Sequence, residues 1–198
     1  MVGFGILSER LAAGNTAIAL LASALATAGA LYALIEWLGR CRARISIPRP
    51  ASATQCAAAV IGVGVANAMF EAPLFSLSAH VRAGPAQWLG EFVATFGLVG
   101  AVWVCSRVRP ASVAGVVAAY IGGGFWFTPT GFANPAVTFA RAFTDSFSGI
   151  RLVDVPGFLA AQAVGTAAAV LLFRWMLPGE ACAAATCAAA PPAAPARS

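Results

Sequence analysis

The chain has 198 residues, of which 60% are hydrophobic and 10% charged, with a formal net charge of +5 and a mean hydropathy of +0.83. Soluble domains carry about a quarter charged residues, so this composition excludes an ordinary soluble domain and describes an integral membrane protein. All 12 basic residues are Arg, and they sit at the ends of apolar runs instead of forming one patch, which excludes a nucleic-acid-binding surface and makes the charge a topology signal.

A helix needs about 20 mostly apolar residues to cross a bilayer. The opening MVGFGIL is followed at once by Ser8, Glu9 and Arg10; it is too short to span, has no signal-peptide cleavage pattern, and reads as the end of a longer helix. Five stretches then predict spans: Asn15–Leu38, Ala51–Phe70, Gln87–Cys105, Ala111–Phe127 and Pro156–Leu177. Abundant Gly and Ala suit helices that pack closely in lipid. Residues 179–198 are rich in Ala and Pro without periodicity and predict a disordered tail. The five cysteines, Cys41, Cys56, Cys105, Cys182 and Cys187, are scattered; none is assigned to a disulfide, and the C-x4-C pair of the tail has no His near it to complete a metal site.

Arginine placement suggests an orientation. Arg40, Arg42, Arg44, Arg49, Arg107, Arg109, Arg174 and Arg197 follow spans one, three and five, against Arg10, Arg82, Arg141 and Arg151 on the other side. The positive-inside rule makes the first group cytoplasmic and leaves Met1 outside, which one additional span upstream would resolve. The spans also repeat: ASATQCAAAVIGVGV and FLAAQAVGTAAAVLL share A-x-Q before a small-residue run, aligning Gln55 with Gln162. Such an echo points to an internal three-helix repeat, with the first unit over about 1–70 and the second over about 85–178.

The segment that carries chemistry is FWFTPTGFANPAVTFARAFTDSF, Phe125 to Phe147. Span four ends at Thr128-Pro129, and Asn134-Pro135 then offers a preferred N-cap and first helical residue. A helix from Pro135 to Phe143 rises about 14 Å, roughly half of the ~30 Å hydrocarbon core, which predicts a half-helix that enters the membrane and stops. Backbone ending at that depth must be buried in protein or line a cavity. The electropositive N-terminus and the Asn134 amide together donate to the oxygen of a neutral solute and repel cations.

These residues resemble the aquaporin family, also called the major intrinsic proteins. The resemblance covers most of Leu11 to Pro178 and is carried by GFANPAVTFARAF, by QWLGEFVATFGLV with its Gly-Glu pair, and by the two A-x-Q helices. It implies an all-α, aquaporin-like inverted-repeat bundle in a single domain over 1–178, here with about five spanning helices and one re-entrant half-helix. It further implies a homo-tetramer in a bacterial inner membrane, without cofactors, passing water or small neutral solutes. Asn134, Pro135 and Ala136 take the place of a pore motif, and Glu91 that of a buried glutamate holding loop amides. Gly122, Gly131 and Val137 take the places of the constriction. Two glycines and a valine there imply a wider, less charged opening, closer to bacterial members passing glycerol or metalloid hydroxides than to a strict water pore. Arg141, a turn beyond Val137, is expected to pair with Asp145 at i+4.

Two family features are missing: most of the first span and the first NPA motif, which belongs between Leu38 and Ala51. That interval holds GRCRARISIPRP. With permitted codons for GRCRARISIPR and one C inserted after the first triplet, it translates as Gly-Pro-Met-Pro-Gly-Ala-His-Phe-Asn-Pro-Ala. The arginine-rich stretch is therefore read as an NPA loop out of frame, with the original frame regained near Ala51 and much of the first half-helix lost. On this reading the loop arginines carry no topology information, and orientation rests on the resemblance. A pore with one half-helix is expected to conduct poorly or not at all. An intramembrane enzyme is disfavoured because the spans pair no Ser/His or Asp/Asp groups, offering only Glu36, Gln55, Glu91 and Gln162, while His80 lies in a loop. A non-conducting subunit packing with other membrane helices is the alternative to a channel.

Overall fold

A computed structural model describes residues 2–44 and 52–177, and every described element is helical. The order is α1 (Val2–Leu11), α2 (Thr16–Arg44), α3 (Ser52–Met69), α4 (Pro85–Val108), α5 (Val113–Phe127), α6 (Pro135–Ala140) and α7 (Val155–Met176). Short 3-10 turns at Pro110–Ser112, Arg141–Phe143 and Leu152–Asp154 lead into α5, follow α6 and lead into α7. The stretch GRCRARISIPRP, expected as a loop, is helical backbone over 39–44, where it continues α2; its remainder, the Cys182 and Cys187 pair and the predicted disordered tail lie outside the described residues.

Helix starts follow local chemistry. Asn15 Oδ1 accepts from the Ala17 and Ile18 amides at 3.1 and 3.2 Å, which caps α2. Proline opens α4 and α6, where its missing N–H costs nothing. Four segments have the length and hydropathy to cross a membrane: Thr16–Leu38, Pro85–Val108, Pro110–Phe127 and Leu152–Met176. The remaining predicted span is helical as well, but its described apolar part, Thr54–Met69, is shorter. The opening apolar run forms the ten-residue α1, which packs against α2 and α3.

The packing is inverted relative to a water-soluble bundle. Buried positions go to small residues such as Ala24, Ala94, Ala118 and Ala169, while Leu25, Leu171 and Trp175 point outward, as expected where the solvent is lipid and close backbone approach supplies cohesion. The dominant helix pairs are α4 with α7 and α2 with α5. Glycine sets the first of these: a Cβ on Gly165 would stand 2.7 Å from the Phe92 carbonyl oxygen, and one on Gly100 would stand 2.3 Å from the Phe173 ring. The half-helix α6 lies between α3 and α7, carried there by the segment after α5. We expect Gly165→Leu to wedge α4 from α7 and cost about 1–3 kcal/mol, the range for overpacking, read as a lowered thermal midpoint in detergent, whereas a lipid-facing Leu171→Ala leaves the midpoint nearly unchanged.

Candidate functional site: a clamped re-entrant half-helix

The chain after α5 turns through two backbone conformations that L-residues avoid. Gly131 has φ of +59° and Ala133 φ of +45°. Glycine adopts this region freely, but alanine there costs roughly 1–2 kcal/mol. The compensation is a buried carboxylate. Glu91 of α4 is 0% exposed; its Oε1 accepts from the Phe132 amide at 2.8 Å and from the Thr130 hydroxyl, and its Oε2 accepts from the Ala133 amide at 3.0 Å. Turning Ala133 into the left-handed region lets two successive amides reach one acid.

Gln162 of α7, 1% exposed, completes the clamp. Its Nε2 donates to Glu91 Oε2 and to Thr138 Oγ1, both at 2.8 Å, and Thr138 in turn donates to the Asn134 carbonyl at 2.8 Å. One connected network thus ties α4, the loop, the first turn of α6 and α7. The Asn134 side chain caps the half-helix, its Oδ1 accepting from Ala136 and Val137 amides at 3.0 and 3.2 Å. With the oxygen engaged by the helix, the amide still carries its Nδ2 donors, and both Asn134 and Pro135 are exposed.

The helix then tightens into the Arg141–Phe143 turn and ends at Thr144, whose backbone is extended. Pro135 to Phe143 is the run expected from the sequence. The same tightening changes the expected Arg141–Asp145 arrangement, because i+4 spacing requires a continuous α-helix. Asp145 Oδ1 accepts from the Ala79 amide at 3.0 Å, and the Arg141 guanidinium lies 4.2 Å from the centre of the Phe132 ring.

The segment 72–84 runs alongside residues 142–151 and closes this end of the molecule. Ser76 and Ser78 amides donate to the Phe143 and Ala142 carbonyls, and Arg151 N donates to the His80 carbonyl. Arg82 anchors the two strands of chain through Nε to the Gly149 carbonyl at 2.7 Å and Nη2 to the Phe147 carbonyl at 2.8 Å. Burial lowers its pKa from the ordinary arginine value, with Glu91 acting in the opposite direction; arginine nonetheless stays cationic in proteins.

The predicted constriction residues occupy distinct surroundings. Gly122 faces α2, where a Cβ would stand 3.0 Å from Ala28 Cβ. Gly131 makes the left-handed turn beside Thr128 and the Gly124 carbonyl. Val137 lines an apolar cavity of about 260 Å3 with Val2, Ala59, Val63 and Ala66. Neither Gly122 nor Gly131 lines the cavity beside Val137.

Gln162 was visible in the sequence as a repeat marker and as one of the few polar groups of the spans, and its repeat mate Gln55 is exposed. A glutamine at depth in an apolar helix is itself a signal, because a buried amide demands partners. Thr130 and Thr138 carry no such signal, since a threonine often satisfies itself on nearby backbone. Glu91→Ala removes the acceptor for four donors, and at about 1–3 kcal/mol for each buried orphan we expect a loss above 3 kcal/mol, seen as a large fall in thermal midpoint in detergent. Ala133→Gly is expected not to lower the midpoint, whereas Ala133→Val lowers it by roughly 1–2 kcal/mol because a β-branched residue tolerates positive φ poorly.

No protein-family model matches the chain, and no solved structure matches it. The chain is similar to aquaglyceroporin AqpS of Rhizobium meliloti (strain 1021), at 40% identity over 195 residues, covering 89% of this chain and 83% of that protein. An identity of this level across most of both chains, together with the apolar helices, makes this a multi-pass membrane protein and a member of the aquaporin, or major intrinsic protein, family of channels.

Proposed function

We propose that this protein supplies a passive pathway for water or small neutral solutes, of the glycerol or metalloid hydroxide class, with conduction impaired by loss of the first NPA loop. The observation that carries this reading is the capped N-terminus of α6. Asn134 binds the helix through its oxygen, and its donor and the helix terminus then face a passing solute, favouring an uncharged molecule with an acceptor oxygen over a cation. Asn134, Pro135 and Ala136 form the pore motif in this reading, with Gly122, Gly131 and Val137 around the constriction and Glu91 as its structural acid. This reading includes a bacterial inner membrane, a homo-tetramer and a domain over 1–178 in two repeats. The similarity to a protein named an aquaglyceroporin supports the solute class.

Two observations support impairment. Gln55, which corresponds in the repeat to the clamp residue Gln162, is exposed, where its counterpart holds a half-helix. The apolar cavity beside Val137 is open space next to the surviving half-helix, and such unfilled volume costs packing energy. They also favour a second reading, a non-conducting subunit that packs with other copies of itself or an intact relative.

Stopped-flow swelling of proteoliposomes tests the proposal. Glycerol flux is expected to fall at least tenfold below that of the Rhizobium meliloti protein at equal density, and replacement of 39–50 by a Gly-Pro-Met-Pro-Gly-Ala-His-Phe-Asn-Pro-Ala loop and a half-helix is expected to raise it. Flux equal to the relative's, or no gain from the repaired loop, contradicts the account of impairment.

A further inference from the structure

The last turns of α4 carry a groove that no other described element helps to form. It has a volume of about 430 Å3 and is walled by Leu98, Val99, Val102, Trp103, Ser106 and Arg107. The helix is long and apolar enough to cross the bilayer, and Arg107 stands in its last turn. The groove therefore starts at the membrane boundary, where Trp and Arg side chains settle, and runs inward over Val102, Val99 and Leu98. From Arg107 back to Leu98 the helix rises about 14 Å. An apolar face of a spanning helix that no described helix covers meets acyl chains.

The boundary end of the groove holds donors without acceptors. Trp103 Nε1 and Arg107 Nη1 are shut off from water, and neither has a hydrogen-bond partner among the described residues. A buried indole N–H ordinarily finds one, and so do other buried polar groups. The Arg107 guanidinium carbon lies 4.4 Å from the centre of the Trp103 ring. This contact takes a flat face of the guanidinium and leaves its N–H edge for an acceptor, and Arg107 is only partly buried. Ser106, the other polar wall residue, donates to the Trp103 carbonyl at 3.1 Å. No Asp or Glu occurs between Glu91 and Asp145, while Arg109 follows two residues after Arg107. The stretch from α4 to α6 thus brings a positive mouth to the groove and no counter-charge of its own.

We infer that this groove is a site for one anionic phospholipid, its phosphate on Arg107 and Trp103 Nε1 and the upper part of one acyl chain along Val102, Val99 and Leu98. A phosphodiester brings acceptor oxygens and a negative charge, and it matches the guanidinium edge in a two-point contact. The acyl chain covers the apolar wall. Free phosphate satisfies only the first of these, and a zwitterionic lipid covers the wall without net charge to balance the arginines. The groove includes none of the residues of the half-helix or its clamp, so the site stands apart from conduction.

The test is native mass spectrometry of the full chain, released from a non-ionic detergent after titration with dioleoyl phosphatidylglycerol or dioleoyl phosphatidylcholine. One phosphatidylglycerol per chain is expected to bind at least tenfold more tightly than phosphatidylcholine. Arg107→Met is expected to weaken it at least tenfold, and Trp103→Phe, which keeps an aromatic ring and removes the donor, at least threefold. Arg174→Gln removes an exposed arginine in the last turn of α7 and is expected to change the affinity less than twofold. Circular dichroism and gel filtration establish that each variant is folded. Inorganic phosphate in hundredfold excess is expected not to displace the lipid. The inference is overturned by a preference below tenfold, by a smaller loss in either folded groove variant, by a loss of twofold or more in Arg174→Gln, which would make the preference a matter of net charge, or by displacement with phosphate. An altered oligomer in Arg107→Met with lipid binding unchanged also overturns it, and assigns the groove to a second copy of the chain.

Discussion

A carboxylate in an apolar bundle is an expensive group, and here it is retained because the chain needs an acceptor where no secondary structure can provide one. Between α5 and α6 the backbone leaves helix geometry inside the protein, and its N–H groups must find partners. Glu91 collects the Phe132 and Ala133 amides and the Thr130 hydroxyl, and Gln162 ties the acid to the first turn of the half-helix through Thr138. The direction of α6, the exposure of Asn134 and the left-handed turn at Ala133 all follow from satisfying that one stretch of backbone.

The surrounding bundle makes the clamp possible. Glycines at 100 and 165 bring α4 and α7 into close contact, and only at that separation does a glutamine on one helix reach a glutamate on the other. Small side chains inside and large apolar ones outside are two aspects of the same arrangement, since lipid gives no reason to bury leucine. The opposite end of the half-helix is held differently, by arginine and backbone carbonyls in the segments 72–84 and 142–151. An acid anchors the start of α6 and basic side chains gather at its end.

Much of this was legible in the amino-acid sequence, for physical reasons that also mark the limits. Long apolar runs predict long helices because hydrogen-bonded backbone is obligatory in lipid, and Asn134-Pro135 predicts a helix start because both residues suit the first turn. Glu91 stood out as a lone acid within an apolar run. Arg82 and Arg141 were counted as loop charges, yet both pack on Phe132; sequence periodicity does not reveal which loops fold back into the protein. The same limit applies to Asp145, whose spacing from Arg141 suits a helical pair until the helix tightens and stops. The constriction positions were inferred by resemblance, and the different surroundings of Gly122, Gly131 and Val137 depend on helix contacts that no local pattern encodes.

The clamp is tested most directly by amide hydrogen exchange of the full chain in lipid nanodiscs, followed at Phe132 and Ala133. These two amides belong to an irregular loop, where unprotected groups exchange fast, so strong protection in the native chain that disappears in Glu91→Ala is the result expected if the carboxylate holds them. Rapid exchange in the native chain, or protection that survives removal of the acid, would contradict the account.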